Sequence, residues 1–246
     1  MSEAYPAPRA DAPLVVFDFD HTLYDGDSGS HLFAWLIRRN PVRLAAALLA
    51  TPLLGPLVAM LPTRRTGISG YVWIASFGLH RAREFNRVID QYVLQHEARI
   101  RQRLLPHALQ VFARHRAAGD RVVVATGAPP ELARAILGFV AHQDVPVVGS
   151  LIGPRLGAVT ATRHCHNEEK MRMLRELGYG EIATAYSDST ADLPLLQAAA
   201  VPVVVNPKAS AVARFRRELP SGTPILNWGC RDRAGDAATG LAAPQN

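Results

Sequence analysis

Cysteine is nearly absent from this chain: Cys165 and Cys230 are the only two in 246 residues. They lie far apart and outside any C-x-x-C spacing, so a zinc site or a disulfide framework has little support, and a reducing cytosolic compartment is the default. Lysine is almost as scarce, with only Lys170 and Lys208 among 27 basic residues. The first dozen residues, MSEAYPAPRADA, hold no apolar run and read against a secretory signal and for a loose tail over 1–12. At the other end, RDRAGDAATGLAAPQN has too few apolar groups to offset the entropy of ordering, so residues 230–246 are predicted to be disordered. Internal repeats and low-complexity tracts are missing as well.

What is present is ordinary for a globular protein: 48% hydrophobic and 20% charged residues, on a chain long enough for one α/β core and an insertion. The charge is unevenly placed. Residues 28–105 hold eleven arginines against Glu84, Asp90 and Glu97, a balance of +8 that leaves −2 for the rest of a chain whose net charge is +6. Basicity confined to one insertion points to an anionic surface or ligand there, or to a solvated helical face, and away from nucleic-acid binding.

Runs rich in Val and Ile occur at LVVFD (14–18), RVVVAT (121–126), PVVGSLIG (146–153), IATAYSD (182–188) and VPVVVN (201–206). Helical patterns alternate with them at PPELARAILGFV, NEEKMRMLRELG and TADLPLLQAAA. Such alternation predicts an α/β fold, a Rossmann-like parallel sheet covered on both faces, with ligands at the carboxyl ends of its strands. About a hundred residues separate the first two strands, far more than a βα connection takes. The expected organisation is a core over 13–27 and 106–229, with a helical cap over 28–105 inserted after the first strand.

Asp18 closes the first strand and Asp20 lies in the loop beyond it, so both project toward the carboxyl edge of the sheet. Like charges held that close call for a cation or a shared proton. A hard dication solves the problem, and Mg2+ takes one or two carboxylates while filling its other positions with water and phosphate oxygens. Thr126 ends the second strand, and Gly127 after it leaves a backbone N–H open to an anion. Asp188 ends IATAYSD and Asp192 follows one turn later. Lys170, in a chain that otherwise uses arginine, offers a compact ammonium.

The order D-F-D-H-T, a strand-ending Thr, a Lys, then S-D-S-T-A-D resembles the haloacid dehalogenase superfamily of phosphatases, from Val15 to about Asn206. The resemblance implies that Asp18 is the nucleophile and forms an aspartyl-phosphate. It implies Asp20 as general acid and base, and Mg2+ held by Asp18, the Asp20 carbonyl and Asp188 with support from Asp192. Thr126, Gly127 and Lys170 would hold the phosphoryl oxygens. His21, where the family commonly has glycine, reads as a satisfied or surface imidazole. The adjacent His164, Cys165 and His166 alternate in direction and fit the lining of the pocket near Lys170 better than a metal site.

From Leu44 to Thr63 no residue is charged, with Arg38, Arg39 and Arg43 before and Arg64 and Arg65 after. The run has the length of a membrane span. Asp18 and Thr126 must meet in one site, so the chain between them can cross a bilayer only an even number of times, and Pro52, Gly55 and Pro56 are expected to break the run into short pieces. An interfacial segment over 41–79, with apolar faces in lipid and arginines on headgroups, fits; a hydrophobic hairpin packed inside the cap is the other possibility. The insertion resembles the cap of the phosphoserine phosphatase-like branch. HLFAWLIRRNPVRLAAALLATPLLGPL, CHNEEK and YSDSTADLPLL together resemble the phosphatidylglycerophosphatase C group. That resemblance implies an anionic phospholipid substrate, phosphatidylglycerophosphate, at the cytoplasmic side of a bacterial inner membrane, with a soluble metabolite such as phosphoserine as the alternative. Asp27 is placed either to bind substrate hydroxyls or to cap the helix that begins at Ser28.

Overall fold

The structure is a computed structural model that describes residues 5, 7–9, 11–60 and 63–231. The chain runs β1 (Leu14–Phe17), α1 (Ser28–Arg38), α2 (Pro41–Ala59), α3 (Arg64–Ser76), α4 (Ala82–Gln95), α5 (Glu97–Arg101) and α6 (Pro106–Ala117). It continues with β2 (Arg121–Thr126), α7 (Pro130–Gly138), β3 (Val147–Gly149), β4 (Leu151–Arg155), β5 (Ala158–Arg163), α8 (Glu168–Glu176) and β6 (Ile182–Ser187). After a 3-10 turn at Thr190–Asp192 come α9 (Leu193–Ala198), β7 (Ala199–Val205), α10 (Ala209–Glu218) and β8 (Ile225–Leu226).

Six strands form one sheet in the order β3-β2-β1-β6-β7-β8, every pair parallel. This is the α/β architecture the alternating pattern implies, and β1 lies near its middle. Because side chains alternate along a strand, β1 feeds two cores. Val15 and Phe17 pack on one face with Val122, Val124, Phe112 and Leu132. Leu14 and Val16 pack on the other with Val123, Ala125, Leu174 and Phe215. All four β1 residues are buried, which is why the run reads as continuous apolar sequence rather than as alternation.

Helices α1 to α5 lie between β1 and α6. In α4, Phe85, Ile89, Tyr92 and Val93 recur at helical spacing and are buried; Phe33 of α1 stacks on Phe85 and Trp35 lies against Tyr92. The two chain segments that enter and leave this region are stitched together. Asp25 N donates to Arg103 O (2.7 Å), and Leu105 N donates to Leu23 O (3.0 Å).

Several expectations change in detail. PVVGSLIG is two elements: β3 ends at Gly149 in the main sheet, and β4 begins at Leu151 to pair antiparallel with β5. Pro52 and Pro56 do not break the apolar run, which forms a single 19-residue helix. Both prolines are exposed, and each leaves the helix one backbone N–H short of its usual ladder. The strand expected at VPVVVN starts earlier, at Ala199, and α10 and a further strand, β8, follow it. Cys230, assigned to the disordered tail, is buried, and its thiol donates to Asp25 Oδ1 (3.1 Å). The rest of that tail, 232–246, lies outside the described residues, as do Met1–Ala4 of the other.

Candidate active site

Strand order and register bring the candidate residues to one edge. Phe17 pairs with Val124 of β2 and Tyr186 of β6, so Asp18, Thr126 and Asp188 leave neighbouring strands at the same end. Asp18 N donates to Tyr186 O (2.9 Å), which extends the ladder one residue past β1 and fixes the carboxylate at the sheet's rim. The loop after it winds around one carbonyl: the N–H groups of Thr22, Leu23 and Tyr24 all point to Phe19 O. His21 takes a left-handed backbone (φ 58°) to allow that turn.

Lys170 is the centre of the cluster. Its Nζ donates to Asp18 Oδ1 (2.8 Å) and to Asp192 Oδ2 (2.7 Å), and all three side chains are buried. Helix α8 is held in place by Arg163 at the end of β5, which pairs with Glu169 and with Glu176 (2.6 Å). The scarce lysine thus serves two carboxylates from different elements at once, a use of a point charge rather than of a planar fork. Ser187 Oγ donates to the same Asp192 oxygen (2.8 Å), while Asp192 Oδ1 is buried with no hydrogen-bond partner.

Electrostatics follow from this packing. Burial pushes the Asp18 carboxyl up; Lys170 pulls it back, Asp192 and Asp188 add to the rise, and it settles at about 7. Burial also raises Asp20 well above the ordinary carboxylate range; the charge of Asp27 reinforces the rise and the Ser28 N–H bond opposes it. For Lys170 burial works downward, but Asp18 and Asp192 overturn it and hold the ammonium above the usual lysine value. Burial lifts Cys165 to about 11, so it stays a neutral thiol. Together these groups form a site that holds one cation and wants more positive charge.

The remaining candidates are placed less directly. Asp20 Oδ1 accepts from Ser28 N (2.8 Å), which ties this carboxylate to the first turn of α1. Thr126 Oγ1 accepts from Ala128 N (3.1 Å), and Ser150 Oγ donates to Gly127 O (2.7 Å), so this turn is bound to the segment after β3. A Cβ at Gly127 would lie 2.4 Å from the ring of His166, so any other residue there would have to displace that exposed side chain. Asp27 is exposed and caps α1, accepting from Ser30 N (2.7 Å). Of its two sequence assignments, capping is the one with a visible bond. Ser28 and Ser187 were missed. Ser187 lies within the YSDSTAD motif, whereas the backbone N–H of Ser28 leaves no mark in the sequence.

Among the described residues no three His, Cys, Asp or Glu side chains gather into a ready metal cluster. The donors nonetheless suit a hard dication of the Mg2+ kind, which needs only one or two carboxylates and completes its shell with water and ligand oxygens. Asp18 and Asp188 lie close enough for the second to raise the first, and Asp192 Oδ1 is an unsatisfied oxygen beside them.

A family model described as haloacid dehalogenase-like hydrolase matches residues 15–197, which include each of these groups. Among solved structures, the chain is similar to a protein of unknown function from Bordetella pertussis Tohama I. The two are 21% identical with TM-score 0.70, over 88% of this chain and 99% of that one. It is also similar to a phosphoserine phosphatase in its phospho-aspartyl intermediate analogue form (14% identity, TM-score 0.55, 85% and 92% covered). A third likeness is to cytosolic 5'-nucleotidase IIIB bound to cytidine (14% identity, TM-score 0.56, 88% and 80% covered).

Proposed function

This chain belongs to the haloacid dehalogenase-like hydrolases, and from that membership we propose that it is a Mg2+-dependent phosphomonoesterase working through a phosphorylated Asp18. The supporting observation is the buried Asp18–Lys170–Asp192 chain at the carboxyl edge of the sheet. An Asp18 oxygen attacks phosphorus and forms an acyl phosphate as the bond to the leaving alkoxide breaks, splitting one hard displacement into two. Asp20, whose carboxyl burial raises well above the ordinary carboxylate range, gives its proton to that alkoxide. In the second half it takes a proton from water as the water displaces Asp18 and frees phosphate. Lys170, Thr126 and Gly127 hold phosphoryl oxygens, positioning and neutralising charge as phosphoryl transfer requires. Mg2+, held by Asp18, the Asp20 carbonyl and Asp188 with Asp192 in support, would neutralise phosphoryl charge.

The substrate we propose is phosphatidylglycerophosphate, met at the cytoplasmic side of a bacterial inner membrane by a peripheral or monotopic enzyme. The support is α2. It is long and apolar enough to cross a bilayer, yet Ala47 is its one buried residue, and its only charged residue is Arg43 in the first turn. That disfavours the internal-hairpin alternative. Gly67 lets α3 approach so closely that a Cβ there would lie 2.8 Å from Val58 N, and the face of α2 turned away from α3 carries Leu49 and Leu53, 84% and 71% exposed. Patches of this kind mark membrane or partner contacts. Arg38, Arg39, Arg43, Arg64 and Arg65 supply the flanking charge for anionic headgroups.

A second reading, a cytoplasmic phosphatase of a soluble monoester such as phosphoserine, is supported by the likeness to phosphoserine phosphatase. The two readings part in an assay of the purified protein against lipid and soluble phosphomonoesters, with Asp18→Asn as control. The lipid reading expects the phospholipid to be preferred, with protein sedimenting on anionic liposomes. Preference for phosphoserine with protein left in the supernatant would establish the soluble reading. Activity that survives Asp18→Asn would refute both.

A further inference from the structure

The β4–β5 hairpin projects from the same sheet edge that carries the site, since β3 ends beside Thr126 and leads through Ser150 into β4. Its loop is two residues, Leu156 and Gly157, with φ of 46° and 78°. A tight turn with both central residues left-handed is normally filled by Asn-Gly, Asp-Gly or Gly-Gly. A leucine in the first place is disfavoured by its backbone, and here it also gains no burial, being 82% exposed. A residue that violates both local propensity and burial marks a position whose fitness lies in contact with something else.

The surroundings identify that contact. Gly78 N donates to Gly157 O (2.8 Å), and a Cβ on Gly157 would touch the Phe77 ring at 3.7 Å. Phe77 is half exposed, and its carbonyl accepts from Arg43 Nη2 (2.7 Å) and Nε (3.1 Å), at the start of α2 beside the exposed Val42. Trp73 Nε1 and Ser76 Oγ add bonds to Arg155 O (3.2 Å) and Val159 O (2.8 Å). The hairpin tip, the end of α3 and the first turn of α2 are therefore one bonded unit that carries the exposed Leu156, Phe77 and Val42, and Val42 shares its helix face with Leu49 and Leu53 by spacing. From Ser28 to Arg83 the chain contains no acid and seven arginines, and exposed Arg155 adds another beside the tip. Apolar tips flanked by arginine match the boundary between acyl chains and anionic headgroups.

We propose that Leu156, at the tip of the β4–β5 hairpin, is a second lipid-contacting element that acts with α2, so that an anionic bilayer grips the insertion and the catalytic core together. This rests on the membrane reading of α2 given above. One consequence is orientation: β5 runs directly into His164–Lys170, so a bilayer holding the tip holds the catalytic edge toward the surface.

The test uses the full-length protein with phosphatidylcholine vesicles with and without phosphatidylglycerol. Leu156→Asn places a residue suited to the left-handed backbone at the turn, so its melting temperature should equal or exceed that of the parent. Its affinity for the anionic vesicles should fall roughly tenfold, as expected for losing one buried leucine, while turnover of a water-soluble phosphomonoester stays unchanged. Leu49→Glu reports on α2 independently. If Leu49→Glu weakens vesicle binding and Leu156→Asn does not, the hairpin proposal is overturned and the α2 reading stands. If the parent protein binds no vesicles, both fall. If the parent self-associates without lipid and Leu156→Asn abolishes it, the partner is a second copy and the proposal is again overturned.

Discussion

The carboxyl edge of the sheet and the outer face of α2 invert the usual distribution of side chains in opposite ways. At the sheet edge, Asp18, Lys170, Asp188 and Asp192 are charged groups almost wholly removed from water. On α2, Leu48, Leu49 and Leu53 are hydrocarbon left in it. Each arrangement costs free energy in the isolated chain. The buried charges offset part of that cost through direct hydrogen bonds and leave a deficit of positive charge that a phosphoryl-bound cation would fill. The exposed leucines have no such compensation among the described residues. On the proposed reading each region awaits a ligand, one polar and one apolar, and the hydrogen bond from Ser28 N at the start of the insertion to Asp20 ties the insertion to the site.

The largest perturbation expected is Asp18→Asn, which removes the proposed nucleophile while keeping its shape. Turnover of any phosphomonoester should fall by about four orders of magnitude or more, with secondary structure by circular dichroism unchanged. Lys170→Arg comes next. The planar fork cannot serve two carboxylates in a space packed around an ammonium, so kcat should drop by about 10²- to 10³-fold even though the charge survives. Steady-state kinetics alongside thermal denaturation separates this from unfolding.

A matched pair of truncations compares the two regions directly. Leu174→Ala, in the core beneath the site, should destabilise by about 2–5 kcal/mol; Leu53→Ala, on the outer face of α2, should change stability by less than about 0.5 kcal/mol. Urea unfolding measures both, and equal losses would show that α2 is packed rather than free.

The smallest expected effect is the pH dependence. With Asp18 raised to about 7 in the cation-free protein against 3.8 unfolded, the folded state binds more protons between those values. Its contribution is therefore full below pH 4 and is lost as pH rises to about 7. Mg2+ competes with that proton, so its apparent affinity, followed by the rise in melting temperature, should increase by up to about tenfold per pH unit below 7 and level off above. A flat profile would remove Asp18 from the cation's neighbourhood.

Much of this was legible in the sequence because it rests on order and periodicity. Five apolar runs separated by amphipathic helices determine a parallel sheet, and D-F-D-H-T with S-D-S-T-A-D at strand ends locates the acids. What was not legible depends on atoms that carry no sequence signature. Backbone N–H groups at Ser28 and Ala128 bind Asp20 and Thr126, and no side-chain pattern announces them. The split of PVVGSLIG was hidden because Ser150, which turns the chain, is as compatible with a strand as its neighbours. Proline's reputation as a breaker misled in α2, where Pro52 and Pro56 lie inside one continuous helix despite each removing a backbone donor. Cys230 and Arg231 read as tail because their partner, Asp25, is some two hundred residues away.

The most direct test of the central claim is to react the protein with a phosphomonoester and Mg2+, quench in acid, and map covalent phosphate by peptide mass spectrometry. The account predicts one phosphoryl group on the peptide containing Asp18, absent in Asp18→Asn. Turnover under the same conditions with no phosphorylated peptide, or with the phosphate on another residue, would contradict it.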